Sequence, residues 1–222
     1  MLGNLIVLLK KSGLFNRMNA SNDQQDIKRE KILEASYQRF LHYGYSKTTM
    51  NEIAGDLSMS KALLYYYFPD KSELYMAVMR KLANDYLKQL EDKLGHFTDL
   101  REAFLFQVNT HHDFIVNNYN FFDFFRLNEQ NLPDTIWETV SQIRGAEIKL
   151  LADAIQAEVE KNNIQPVANP IEIVEVFLDA LHGIKVGGSL PHKKLNFPHK
   201  EHLDEIHNKR LLLIDIFVKG LK

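Results

Sequence analysis

Apolar residues recur at helical spacing along most of this chain. Ile32, Leu33, Tyr37, Phe40 and Leu41, with Ser36 among them, line one face of a helix from Ile27 to Tyr43. Gly44 ends it, since glycine enters the left-handed region without steric cost. Thr49 and Glu52 stand at capping-box spacing and predict a short second helix with Met50, Ile53 and Ala54 inward. Asp56-Leu57-Ser58 interrupts that pattern, and Ser60 caps a third helix from Lys61 to Phe68. Pro69 stops the third helix. Asp70 with Glu73 then opens a long fourth helix reaching about Leu94. Beyond it the spacing predicts helices near 99–118, 120–131, 134–162, 170–187 and 199–219. Pro133, Pro166, Pro170, Pro191 and Pro198 punctuate them, and residues 188–198 form the clearest loop.

Composition agrees with an all-α chain. Only 10 glycines and 6 prolines occur in 222 residues, and no proline precedes Pro69. A turn-rich β fold needs more of both. The absence of cysteine excludes disulfides, thiolate metal sites and a cysteine nucleophile. The net charge of −2 is uneven: residues 1–81 carry +4 and residues 82–222 carry −6. A basic front suggests that the N-terminal part meets an anion. Four helices within 70 residues, with a tight turn between the second and third, form a helix-turn-helix pattern. Periodicity and caps alone leave a plain helical bundle equally open.

The segment ILEASYQRFLHYGYSKTTMNEIAGDLSMSKALLYYYFPDKSELYMAVM, residues 32–79, resembles the DNA-binding domain of tetracycline-repressor-type (TetR) transcriptional regulators. The matching pieces are Phe40…Gly44-Tyr45, Thr48-Thr49, Ile53-Ala54, Ser60-Lys61, Leu64-Tyr65-x-Tyr67-Phe68 and Lys71-x-x-Leu74. Two positions depart from the family pattern. Ser58 stands where the turn usually has glycine, and Ala62-Leu63 replaces a common Gly-Thr pair at the start of the recognition helix. The operator sequence therefore cannot be borrowed from a relative. The resemblance implies a helix-turn-helix DNA-binding domain over 21–71 and a helical effector-binding and dimerisation domain over 72–222. Residues 1–20 are an N-terminal extension, and for 1–17 two readings stand: sequence upstream of a true start at Met18, or a short amphipathic extension.

A recognition helix presents its N-terminal residues to base edges in the major groove. Here those are Lys61, Ala62 and Leu63, with Tyr66 further along. Lys61 can donate to guanine, whereas Ala62 and Leu63 offer only apolar contact, as to a thymine methyl. Tyr65, Tyr66 and Tyr67 point about 100° apart on a helix, so they cannot all be core. The resemblance assigns Tyr65 to a phosphate and leans Tyr67 and Phe68 toward the core or the backbone. Ser60 and Thr49 serve as caps at the DNA face. Thr48 reaches a phosphate in the functional reading, and Lys47 adds charge. Lys71 opposes the dipole of its own helix, so a phosphate docked at that helix end is the expected reason for it.

The family's C-terminal domain dimerises and senses small molecules. Val174, Phe177, Leu178 and Leu181 share a stripe, and LLLIDIFV at 211–218 is apolar nearly all round. A second subunit is the expected cover, with Leu212 and Ile216 in the interface. Residues 97–137 hold ten of the 24 aromatics, which predicts an apolar or aromatic effector among Phe104, His111, Phe114, Phe121, Phe122, Phe125 and Trp137. Arg126 favours an anionic effector and Asp113 or Asp123 a cationic one; Asn128 is a further polar candidate, and the sequence does not choose. By family behaviour, effector binding swings the fourth helix and changes the separation of the two recognition helices.

Other classes have less support. Nine histidines invite a metal site, but the adjacent His111 and His112 diverge on a helix and His207 is out of register with His199 and His202. No HExxH, phosphate-loop, Rossmann or G-x-S-x-G signature occurs, so neither an enzyme, a metal nor a cofactor is expected. The apolar run Leu5–Leu9 is far short of a bilayer span. A cytoplasmic homodimer that represses transcription from a pseudo-palindromic double-stranded DNA operator is the expectation. A helical dimeric interaction module that no longer binds DNA is the alternative.

Overall fold

The computed structural model describes residues 14–97, 99–127, 134–189 and 198–221. Residues 1–13, Asn128, the end of the expected 120–131 helix, most of the 188–198 loop and the Arg126 side chain lie outside the described residues. Every regular element described is helical, and the chain divides into two compact units at Val78/Met79.

In the first unit, α1 spans Leu14–Lys47 with a break at Gly44 (φ 76°, ψ 169°). Its helical backbone begins well before Ile27, so residues 14–17 belong to the first helix. Ile32, Leu33, Ser36 and Phe40 are buried along one face, and the Ser36 hydroxyl is satisfied by the Ile32 carbonyl at 2.6 Å. α2 (Met50–Asp56) carries the full Thr49/Glu52 capping box and buries Met50, Ile53 and Ala54. The turn that follows passes through Ser58 at φ 50°. That is the left-handed conformation that glycine enters without steric cost, and a serine there carries a small strain. α3 (Lys61–Tyr67) starts at Ser60, whose hydroxyl accepts the Leu63 N–H at 3.2 Å. α4 (Lys71–Leu94) starts with Asp70 accepting the Glu73 N–H at 2.8 Å. Phe40, Tyr45 and Tyr75 pack with ring centroids 5.2–6.0 Å apart, and Leu64 is fully buried. Burying a leucine contributes about 1.5–3 kcal/mol.

The second unit contains the rest of α4 with α5 (Leu100–Asn117), α6 (Asp123–Leu127), α7 (Asp134–Glu160), α8 (Pro170–Ser189), a 3-10 turn (Lys200–His202) and α9 (Leu203–Gly220). Asp99 caps α5. Asn169 and Pro170 open α8, with the Glu172 N–H on the Asn169 side chain. The helix expected from residue 120 begins only at Asp123. Asn118 ends α5 by donating its side-chain amide to the Phe114 carbonyl at 2.8 Å, which diverts the chain into turns.

α9 packs on α5 and α8, and α7 packs on α8 and α5. At the centre Phe104, Phe177 and Phe217 meet with centroids 4.7–5.2 Å apart. This corrects the expected interface stripe. Val174, Phe177, Leu178 and Leu181 are the inner face of α8, at most 6% exposed, and belong to the hydrophobic core of this unit. The periodicity identified an apolar face correctly but not what covers it. Leu212 and Ile216 are each 61% exposed on α9, and Ile171 and Val176 are exposed on α8.

Candidate nucleic-acid interface

Local forces position the reading helix. Leu64 and Phe68 anchor α3 inside the first unit, so the rest of its surface faces outward. Lys61, Ala62, Tyr65 and Tyr66 are exposed, while Leu63 and Tyr67 are partly covered. The ammonium of Lys61 lies 5.7 Å from the Tyr65 ring centroid, one helical turn away, which orients the cation along the exposed face. Tyr66 is the most exposed of the three tyrosines, and its hydroxyl accepts from Gln25 Nε2 of α1 at 3.3 Å. Gln25 was not foreseen. Its partner is 41 residues away, beyond the reach of local spacing.

α2 is locked to α1 by Arg39. Its guanidinium donates to both Asp56 oxygens, at 2.5 and 3.1 Å, and lies 3.2 Å from Glu52. The Thr49 hydroxyl and N–H hold the Glu52 carboxyl below its ordinary range, and Arg39 does the same for Asp56. Thr49, Lys47 and Ser60 are exposed as expected.

Two expectations are corrected. Thr48 is fully buried and its hydroxyl donates to the Gly44 carbonyl at 2.9 Å, so it does not reach a phosphate. It closes the broken end of α1. Lys71 is held by the backbone of its own unit and is not a freely solvated cation. Its ammonium donates to the carbonyls of Tyr45 (2.9 Å) and Thr48 (3.0 Å) and sits 4.1 Å from the Tyr45 ring centroid. Burial holds its pKa below the usual lysine range. A cation unfavourable to its own helix thus neutralises the C-terminal end of another. Lys71 still borders a shallow recess shared with Thr49, Asn51, Lys61 and Tyr65.

The expected effector residues separate into three places. Phe104 lies in the phenylalanine core described above. Trp137 is 58% exposed. Phe114, Phe121, Phe122 and Phe125 form a chain of ring contacts 5.5–5.7 Å apart, and Phe114 reaches the Tyr86 ring at 5.1 Å. His111 adjoins that chain, with its Nδ1 3.3 Å from Arg210 Nη1. A cavity of about 200 Å³ lies elsewhere in this unit, lined by Leu94, Phe97, Leu100, Ala103, Leu150 and Ala157. None of the seven expected effector residues lines it. Among the described residues no cluster of His, Asp and Glu could hold a metal, and no helix is long and apolar enough to cross a membrane.

Two capped helices joined through a left-handed residue, the second with an anchored inner face and a polar outer one, define a helix-turn-helix DNA-binding domain. Residues 32–78 match the family described as bacterial regulatory proteins, tetR family, and the N-terminal domain of this chain is a TetR-type domain. The transcriptional activator FasR of Mycolicibacterium smegmatis is 33% identical over 91 residues, 41% of this chain and 42% of its own length. The transcriptional regulator RutR of Escherichia coli K12 is 38% identical over 64 residues, 29% of this chain and 30% of its own. This chain therefore spans less than half the length of these curated relatives. A transcriptional regulator from Cytophaga hutchinsonii superposes with a TM-score of 0.76 at 27% identity, covering 87% of this chain and 98% of that one. The likeness to that structure extends through the helical C-terminal domain. The family is one of transcriptional regulators and not of enzymes.

Proposed function

We propose that this chain is a ligand-responsive transcriptional repressor that binds a pseudo-palindromic operator as a homodimer and is released by a small apolar or aromatic effector. One observation carries the reading. α3 is capped at Ser60 and anchored by Leu64 and Phe68, and it turns Lys61, Ala62, Tyr65 and Tyr66 outward together. Lys61 is the base reader, Tyr65 and Lys47 are phosphate contacts, and Ala62 and Leu63 supply apolar contact to the groove floor.

Dimerisation is supported by Leu212 and Ile216 on α9 with Val176 on α8, large aliphatic side chains 61–62% exposed. A two-fold interface uses the same patch twice, so a charge placed there is doubled. Ile216→Glu is expected to convert dimer to monomer with unchanged helicity, read by analytical ultracentrifugation. Repression is the usual mode of the family the domain resembles. The effector acts through α4, which runs unbroken across the Val78/Met79 division.

The test is fluorescence anisotropy on the upstream intergenic DNA against random DNA at two salt concentrations. Tight and selective binding supports the regulator. Binding no tighter than to random DNA, by ligand-stripped protein and across a random oligonucleotide pool, sinks it in favour of the interaction module.

A further inference from the structure

The cavity of about 200 Å³ in the second unit is apolar inside and acidic at its edge. The buried part of its lining is Leu94 at the end of α4 with Leu100 and Ala103 at the start of α5. Half-buried Phe97, Leu150, Ala154 and Ala157 continue that apolar surface. Phe97 is held by ring contact with Phe106, centroids 5.3 Å apart. The space exists because several lining side chains are small. Ala103, Ala154 and Ala157 end at Cβ, and a Cβ placed on Gly95 would meet no atom within 4 Å. Toward solvent the lining turns polar, at the exposed Glu91, Asp99, Asp153 and Lys161.

The carboxylates of this lining are not equivalent. Glu158 is buried, but Lys161 donates to it at 2.7 Å and Asn163 at 2.8 Å, so its charge is met. Asp99 accepts the N–H groups of Arg101 at 2.6 Å and Glu102 at 3.4 Å as the cap of α5. Glu91 of α4 and Asp153 of α7 have no hydrogen-bond or ion-pair partner among the described residues. The one cation of the lining is Lys161, which Glu158 already engages. Two free carboxylates from different helices at the edge of an apolar space attract a cation and repel an anion. Exposed carboxylates make weak ion pairs, so the apolar interior must supply most of the affinity. An apolar cavity of about 150 Å³ admits a benzene molecule. A cavity of about 200 Å³ therefore has room for one ring with a short arm.

We propose that this cavity binds a small arylalkylamine, its ring among Leu94, Phe97 and Ala157 and its ammonium at Glu91 and Asp153. An aliphatic amine is protonated near neutral pH, as lysine is. The proposal concerns binding within the second unit and does not require that the first unit bind DNA.

The test is isothermal titration calorimetry of the full chain with 2-phenylethylamine, 2-phenylethanol, phenylacetate and methylamine. The phenylethylamine is expected to bind tightest, the alcohol about tenfold more weakly, and phenylacetate and methylamine not measurably. Raising the salt concentration should weaken amine binding and leave alcohol binding unchanged. The joint substitutions Glu91→Gln and Asp153→Asn should lower amine affinity to that of the alcohol. Both side chains are exposed and unpartnered, so circular dichroism is expected to stay native. Ala157→Leu fills the space and should weaken amine and alcohol alike by at least about tenfold. Where Ala157→Leu does not fold, the carboxylate pair carries the test. Phenylacetate binding as tight as amine binding overturns the proposal. So do the absence of amine binding and amine binding unchanged by the carboxylate pair or by a folded Ala157→Leu. Operator anisotropy is measured separately: its failure removes the regulator reading, whereas calorimetry alone decides the amine site.

Discussion

The two units treat charge in opposite ways. In the first, Thr49 with Glu52, Arg39 with Asp56 and Ser60 with the Leu63 N–H are polar pairs at the surface. In the second, Tyr86, Gln107, Glu147 and Arg210 come from four helices and meet in the interior. A DNA reader works on a highly charged surface in water, where exposed donors cost little to hold ready. Interior groups have lost their water and need one another as partners. Polar groups are thus held separately in the first unit and depend on one another in the second.

The largest expected effect comes from breaking the interior network. Glu147→Leu strands the Tyr86 hydroxyl and the Gln107 amide beside Arg210 and should cost about 3–5 kcal/mol. Urea unfolding followed by circular dichroism measures it, and a loss under about 1 kcal/mol would show that the network is not coupled.

A surface change should do the reverse. Lys61→Ala leaves stability unchanged and weakens specific DNA binding by about 1–3 kcal/mol, with relaxed preference at one or two base pairs. If only the salt dependence moves, Lys61 contacts phosphate and does not read a base.

Lys71 sharpens the boundary between these classes. As a surface cation it would affect binding alone. As a ligand of the Tyr45 and Thr48 carbonyls, Lys71→Met should also lower stability, by about 1–2 kcal/mol, in the absence of DNA. A purely DNA-binding phenotype contradicts the capping role.

The smallest effect is a pH response confined to the second unit. The pKa of His111 falls to about 3 in the native state, below the ordinary 6.5. Below pH 6.5 the unfolded chain takes a proton that the folded one refuses, so stability falls as pH drops from 6.5 toward 3. At pH 5 the loss is about 1–2 kcal/mol, and it is absent above pH 7. Comparing urea midpoints at pH 7.5 and 5.0 in the wild type and His111→Gln isolates this contribution from those of His182 and His207, whose pKa values burial also lowers. An unchanged pH response in the variant assigns the effect to those two histidines.

The reading domain was legible because its determinants are local. Each cap stands three residues from its partner, and Ser58 was marked as the turn residue before its φ of 50° was known. The internal partners of Thr48 and Lys71 escaped local spacing for one shared reason. The left-handed exit at Gly44 turns the end of α1 so that its carbonyls face both side chains, 4 and 23–26 residues away. The interior cluster left a signal that was overlooked. Ile206, Arg210, Ile214 and Val218 form one buried stripe of α9, and Glu147, Leu151 and Ile155 another of α7. A charged residue at a position that the helical period reserves for apolar ones marks a buried polar site.

Helix positions, caps, stops and the helix-turn-helix were determined by the sequence itself, because each depends on groups within a turn or two of one another. Only the tertiary structure decided that the Val174 to Leu181 face is core, that Lys71 belongs to α1, and that Arg210 meets Gln107 and Glu147. Those outcomes are matters of desolvation. Whether a face or a charge loses its water depends on which distant helix covers it, and no spacing within a single helix carries that information.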